Sequence, residues 1–370
     1  MKELINKIIF IITISIIGVF SIWFLLKKPI LFSENENRYL TMFPKISLKS
    51  LAEGKLTSKI EEYINDQFPL RDFLVGIKTN VEILLGKTKI NDIYIGKDNY
   101  LIPTFNKNNN FQKIIDTLNT FENRISVPVD LIIAPNSIEI YSEKLPINDE
   151  KNNGIKEIEK IYNSYDGNVI NVHEILLKNK LEYDLYYRTD HHWTTYGAYY
   201  AYNEYIRQIG KDKKLLSNYN INLISSDFYG TSYSKANYYS LPADDIYLFE
   251  DNFNYKVNYV VENKIENSPY NMNYLNKKDK YSVFLDNNHA LIEIDNLDNS
   301  NGENLLLVKN SYGNSFAPFI AADFDTVSVI DLRYYKTDVS AYVQENNITR
   351  VLILYDINGI YTDPSIYKLR

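Results

Sequence analysis

No cysteine occurs in the 370 residues, which excludes disulfides, thiolate metal sites and a cysteine nucleophile. The absence fits an exported protein from a cell that makes little use of disulfides. Histidine is scarce, with 4 in the whole chain, so imidazole chemistry has few places to sit. A basic excess is missing as well: 40 Lys plus Arg face 47 Asp plus Glu, and the net charge of −7 argues against a nucleic-acid-binding surface. No fixed-period repeat is visible. What remains is ordinary for a folded chain, 45% hydrophobic and 24% charged, and long enough for one large α/β domain with an accessory segment.

From Ile8 to Leu26 no ionisable residue occurs, and about 18 apolar residues suffice to cross hydrocarbon. The run closes on Trp23, Phe24, Leu25, Leu26, Lys27 and Lys28 rather than on a small-residue cleavage pattern, so residues 1–28 read as an uncleaved membrane anchor. Lys2 and Lys7 are matched by Lys27 and Lys28, which leaves the positive-inside bias weak. Residues 29–100 read as a helical, membrane-proximal neck: Leu56, Ile60, Tyr63 and Ile64 keep helical spacing, Phe68-Pro69 breaks it, and Phe73 to Leu85 resumes. Ile93 to Ile102 then predicts two short strands around a Gly/Asp/Asn turn.

Residues 101–370 carry β-branched runs that alternate with helical stretches. Val129–Ala134, Val169–Val172, Leu305–Val308, Val327–Leu332 and Val351–Tyr355 are the predicted strands. Alternation of this kind implies an α/β fold with a mostly parallel sheet and flanking helices. About residues 218–301 the text turns Asn- and Tyr-rich with weak periodicity, which predicts an irregular insertion of loops and short strands. The 33 tyrosines suit either half-buried rings in sheets or exposed platforms for sugars, and the count does not choose.

The densest chemistry lies in Tyr187-Arg188-Thr189-Asp190-His191-His192-Trp193, where two of the four histidines adjoin an Asp and the only Trp outside the apolar run. On an extended strand Asp190 and His192 project to one side and His191 to the other. A carboxylate beside an imidazole fixes its tautomer and stabilises the imidazolium that forms when the ring takes a proton. Thr194 or Thr195 would cap a helix running to Gly210. Two other readings compete: the Asp and the two His as metal ligands, although adjacent residues rarely reach one ion from a strand, and a purely structural polar corner. The nucleophile candidate is Ser311, at a sharp turn between the buried run ending at Val308 and a helix, where free N–H groups favour an oxyanion. Plain helix capping suits the same serine, and Ser315, inside the helix, is its competitor.

With these residues in place the chain resembles the DHHW family, which is similar to the alginate O-acetylation proteins with an SGNH-hydrolase-like fold. The resemblance rests on Asp190-His191-His192-Trp193 and runs through Ser33-Glu34-Asn35-Glu36-Asn37-Arg38, Asp66 to Arg71, Asp227 to Ser234, Phe284 to His289, the Ser311 turn and Asp331 to Tyr335. It implies a permuted order with Asp190 and His192, the acid-base pair, ahead of the nucleophile Ser311. It also implies action on an exopolysaccharide outside the cytoplasmic membrane, with acetyl groups delivered by a membrane-bound O-acyltransferase. Asn288 and the Ser311 and Tyr312 amides are the candidate oxyanion donors, and Arg188 and Trp193 are candidate substrate contacts. No Gly-Asp-Ser-Leu block of the ordinary SGNH kind is present. No cofactor or metal is called for. The expected activity is serine O-acetyl transfer to a surface polysaccharide. Its rivals are an acetylesterase with the same residues and a non-catalytic polysaccharide-binding assembly factor.

Overall fold

A computed structural model describes residues 1–36, 38–47, 50–51, 53–107, 111–146 and 154–369. Asn37 of the Ser33 to Arg38 string therefore lies outside the described residues. The chain forms two compact units, Met1–Lys87 with Ser234–Ser240, and Thr88–Tyr233 with Leu241–Arg370.

In the first unit, α1 (Lys2–Leu26) is long and apolar enough to cross a membrane. Two further helices follow, α2 (Lys55–Gln67) and α3 (Arg71–Leu84), separated where Pro69 cannot continue α2. Two of the strings that carry the family resemblance meet here. Asp66 takes a two-pronged contact from Arg38 at 2.6 and 3.0 Å and a third bond from the Thr41 N–H at 2.8 Å. Arg71 pairs with Glu36 at 2.5 Å, and the Gln67 amide bonds both the N–H and the carbonyl of Ile30 at 2.9 Å. The hydrogen bond from Arg38 outweighs burial and holds the Asp66 carboxyl well below the usual range.

The second unit begins at Thr88, so residues 88–100, assigned above to the neck, fold with it. The reason is local: Tyr100 is buried and donates to Asp184 at 3.0 Å, and the Leu101 N–H reaches the Arg188 carbonyl at 2.8 Å. Lys89–Ile90, Ile93–Ile95 and Leu101–Pro103 form a small antiparallel sheet.

The main strands are β1 (Val129–Ala134), β2 (Asn168–Val169), β3 (Asn220–Phe228), β4 (Asp244–Glu250), β5 (Tyr255–Tyr259), β6 (Lys264–Glu266), β7 (Leu291–Asn296), β8 (Asn304–Lys309), β9 (Thr326–Ile330) and β10 (Arg350–Asp356). Eight of them make one sheet in the order β6-β5-β7-β9-β8-β10-β1-β2. From β9 to β2 the neighbours are parallel, and β7, β5 and β6 add antiparallel to one side, so the sheet is mixed. Residues 218–301 hold short strands, as expected, but not as an irregular insertion. Three of its strands extend the central sheet, and β3 and β4 pair in a separate bulged ladder.

Alternation explains why the central strands read as unbroken apolar runs: Leu305 and Leu307 enter one core, and Leu306 and Val308 the other. Helix α4 (Phe111–Arg124) contributes to the second core, and α5 (Thr195–Gln208) and α6 (Gly313–Ile320) to the first. Tyrosines fill much of the first core. Tyr202 and Tyr205, for example, are fully buried with their hydroxyls on Asp323 at 2.5 Å and Asp130 at 3.0 Å.

Candidate active site

Parallel strands β1, β10 and β8 end side by side, and their carboxyl ends carry Asn136, Asp356 and Asn310. The Asp356 carboxylate accepts from Asn136 at 2.9 Å and Asn310 at 2.5 Å. Ser311 follows at the turn from β8 into α6, half-buried, at the sheet edge where α/β folds bind ligands.

The Asp190 loop closes over this edge. Its ends are held by a bridge between Tyr186 and Trp193, and residues 188–192 are bends rather than a strand. Asp190 meets His192 by a tight side-chain turn, its Oδ1 accepting from the His192 N–H at 3.0 Å and lying 2.6 Å from Nδ1. His192 Nε2 is 2.7 Å from Ser311 Oγ. The strand alternation expected above is therefore not what pairs them, and His191 does not turn away. Its ring centroid lies 3.8 Å from that of His192, and its Nδ1 is 2.6 Å from Thr231 Oγ1.

Asp190 is completed by residues that the sequence reading did not single out. Its Oδ2 accepts from the Thr231 N–H at 2.7 Å and the Thr231 hydroxyl at 3.0 Å. Gly230 packs against the Asp190 side chain so closely that a Cβ there would lie 2.5 Å from Asp190 Cγ. Both sit just past the end of β3, and the start of β4 supplies Asp244, whose carboxylate accepts from the Arg188 and Thr189 N–H groups at 2.9 and 2.8 Å. Burial on its own would raise the Asp190 carboxyl. The charges of His191 and His192, the His192 bond and the Thr231 N–H outweigh it and hold Asp190 well below the usual range. Asp244, by contrast, is pushed up to about 6, chiefly by burial.

Tyr281 is the other unforeseen neighbour. Its ring lies flat on His192, centroids 3.9 Å apart at 6°, and its hydroxyl donates to the Ser311 carbonyl at 3.0 Å. The signal available was slight: Gly230 and Thr231 fall in the Asp227 to Ser234 string, and Tyr281 only precedes the Phe284 to His289 string.

The remaining candidates have different employment. Trp193 is fully buried, its indole N–H donating to the Tyr312 carbonyl and to Ser315 Oγ, both at 3.0 Å, so it braces the Ser311 turn instead of offering a ring to a ligand. Ser315 is buried with that bond and a 3.1 Å contact to the Tyr281 hydroxyl. Arg188 pairs with Asp184 at 2.6 Å. Tyr312 is buried and ties the two loops together, its hydroxyl donating to the His191 carbonyl at 2.5 Å and accepting from Asn136 at 2.8 Å. Its backbone N–H is taken by Asn310 Oδ1 at 3.1 Å. Asn288 Oδ1 accepts from Lys309 and Arg333, each at 3.0 Å, and its amide nitrogen donates to Asn287 at 2.9 Å.

Ligand atoms of Asp190, His191 and His192 lie within 4.8 Å of one another, as in a metal pocket. Both ring nitrogens of His192 are nevertheless engaged, one by Asp190 and one by Ser311. Chemically, the arrangement can draw a proton from Ser311 Oγ into an imidazole backed by a buried carboxylate.

Residues 94–330 match the family described as DHHW protein. The chain belongs to the DHHW family. No curated protein matches it. Among solved structures, a DHHW family protein from Eubacterium siraeum is similar at a TM-score of 0.67 and 23% identity, over 76% of this chain and 95% of that one. Bacillus cereus PatB1, in a structure with a sulfonyl adduct, is similar at a TM-score of 0.63 and 21% identity, over 75% of this chain and 98% of that one. At these identities the two likenesses establish the fold of this DHHW protein. A more distant likeness, at a TM-score of 0.47 and 13% identity over 75% and 98% of the two chains, is to the O-acetyltransferase domain of Pseudomonas putida AlgJ.

Proposed function

We propose that this DHHW protein is a membrane-anchored, extracytoplasmic serine O-acyltransferase that acetylates a cell-surface or secreted polysaccharide. The observation that carries the reading is the continuous chain from Asp190 Oδ1 through His192 to Ser311 Oγ, with contacts of 2.6 and 2.7 Å, at the carboxyl edge of the parallel strands. His192 takes the Ser311 proton as Oγ attacks the acyl carbonyl, and Asp190 stabilises the imidazolium. The tetrahedral oxyanion forms beside the Ser311 N–H, ahead of the first turn of α6. Collapse expels the donor group, which takes the proton from His192 and leaves an ester on Ser311. A sugar hydroxyl then repeats the steps in reverse, giving its proton to His192 and receiving the acetyl group. Water in place of the sugar makes the same site an acetylesterase. The sulfonyl adduct on PatB1 fits this reading, since sulfonyl electrophiles mark activated nucleophiles.

With α1 as the anchor and activated acetyl groups made in the cytoplasm, a single helix offers no conduit, so a membrane-bound O-acyltransferase is the implied donor. The test is to incubate the full-length protein in detergent with a small activated acetyl ester and read the mass of the Ser311 peptide. An acetyl adduct that Ser311→Ala abolishes is expected. Label at Ser315 removes Ser311 from the mechanism, and a folded sample that stays unlabelled favours the non-catalytic binding role. Adding oligosaccharide acceptors then separates transfer from hydrolysis.

A further inference from the structure

The first unit presents an apolar surface that the chemistry above does not use. On α3, Phe73, Leu74, Ile77, Val81 and Leu84 recur at helical spacing and are all exposed, Phe73 at 63% and Leu84 at 85%. The opposite side of the helix is occupied. Thr79 is buried, and Gly76 packs on Tyr239 with room for nothing larger, since a Cβ there would lie 2.9 Å from the ring. A contiguous apolar face of this size on a soluble surface marks an interaction site.

Its continuity with α1 says what covers it. Ile16, Ile17, Phe20, Phe24 and Leu25 of α1 share one apolar groove of about 600 Å³ with Ile64, Phe68 and Leu74. Phe20 stacks on Phe68 with centroids 5.5 Å apart, and Phe24 meets Tyr63 edge-on at 5.7 Å. At the helical rise Phe20 lies about 9 Å along α1 from Leu26, so residues level with it share its depth in any membrane that α1 crosses. Of the charges beside it, Arg38 is paired with Asp66 and Glu36, and Arg71 with Glu36. On the flank of α3, Lys87 pairs with Glu82 at 2.7 Å, where long side chains reach a headgroup layer.

We propose that α3 lies in the membrane interface, with its Phe73, Leu74, Ile77, Val81 and Leu84 face among the lipid acyl chains of the leaflet that α1 leaves. The inference rests on the reading of α1 as a membrane anchor. It makes the first unit a two-point attachment, one helix through the bilayer and one along it, which fixes the unit against the membrane surface instead of leaving it on a swivel.

The absence of native cysteine allows a direct test on the full-length protein in phosphatidylcholine vesicles. Single variants Ile12→Cys, Lys59→Cys, Ile77→Cys and Leu84→Cys, each carrying a polarity-sensitive fluorophore, are quenched with brominated lipid or with aqueous iodide. Probes at positions 77 and 84 should be quenched several-fold more by lipid than the probe at 59, and shielded from iodide. The probe at 12 reports the anchor alone. If 12 is lipid-quenched while 77 and 84 respond to iodide, α3 lies in water and the proposal falls with the anchor intact. Shielding of 77 and 84 from both quenchers means that protein, a second copy or a partner, covers the face, and also overturns it. Iodide access at 12 overturns the anchor and the inference together.

Discussion

Gly230→Ala tests whether the second oxygen of Asp190 matters to the reaction. Gly230 is not in the left-handed backbone region, so alanine carries no left-handed penalty there, and the nearest obstacle is the Asp190 side chain. A methyl group 2.2 Å from Asp190 Cβ and Oδ2, and 2.5 Å from Cγ, forces the Asp190 side chain to move, carboxylate included. The bonds at stake are those from the Thr231 N–H at 2.7 Å and the Thr231 hydroxyl at 3.0 Å. Each hydrogen bond to a buried charge contributes about 1.5–3 kcal/mol, so losing both corresponds to roughly 10²–10⁴ in rate. The upper end matches the loss of about 10⁴ seen where a triad carboxylate no longer fixes its imidazole. Turnover of a soluble activated acetyl ester by the full-length protein in detergent measures kcat/KM. Thr231→Val, which keeps the N–H and loses only the hydroxyl, should fall by about 10–10² on the same arithmetic. If Gly230→Ala folds and keeps more than a tenth of the wild-type rate, the support of Asp190 from Thr231 is irrelevant to catalysis.

His192→Ala should lose about 10²–10⁴ of turnover with the fold retained, whereas His191→Ala, which leaves the Asp190–His192–Ser311 contacts in place, should lose far less; equal losses in the ester assay would contradict the assignment. For Tyr281, Phe keeps the ring on His192 and Leu removes it. Leu should therefore lower kcat/KM on the soluble ester well below the level that Phe retains, and equal rates for the two would reduce Tyr281 to packing. Asp244 sets a pH signature of stability. Its carboxyl is raised in the fold from 3.8 to about 6, so its stabilising contribution is complete below the lower value and fades as pH rises to the upper one. Between pH 3 and 7 the unfolding free energy of wild type should fall by about 3 kcal/mol relative to Asp244→Asn, most of it between pH 4 and 6, and stay level above. Denaturant titrations that give the opposite slope would mean that the bonds from Arg188 and Thr189 dominate over burial.

Much of the scaffold was legible in local pattern. Val129–Ala134 is the observed β1 residue for residue, and the Leu305–Val308 and Val351–Tyr355 runs sit inside β8 and β10, because strands buried on both faces must be apolar throughout. Thr194 caps α5 through the Gly197 N–H at 3.3 Å, and Gly210 stands just beyond its end in the left-handed region, as the flanking residue types imply. The strands from Tyr255 to Asn296 escaped because they pair antiparallel towards an edge, where one face is wet and Asn-rich text is tolerated.

The candidate site divides along the same line. Residue type and chain neighbourhood alone picked out Asp190, His192 and Ser311, because few side chains can do that chemistry and the chain holds few histidines. Which way each side chain faces was a tertiary decision. Asp190 reaches His192 through a bend and not a strand, Trp193 turns into the core to hold the Ser311 turn, and Arg188 is spent on Asp184. The groups that finish the site, Gly230, Thr231, Asp244 and Tyr281, stand far along the chain in the segment with the weakest periodicity. Periodicity records only what a residue's near neighbours along the chain require. The partner that meets a buried carboxylate or imidazole is chosen when distant segments close on one another.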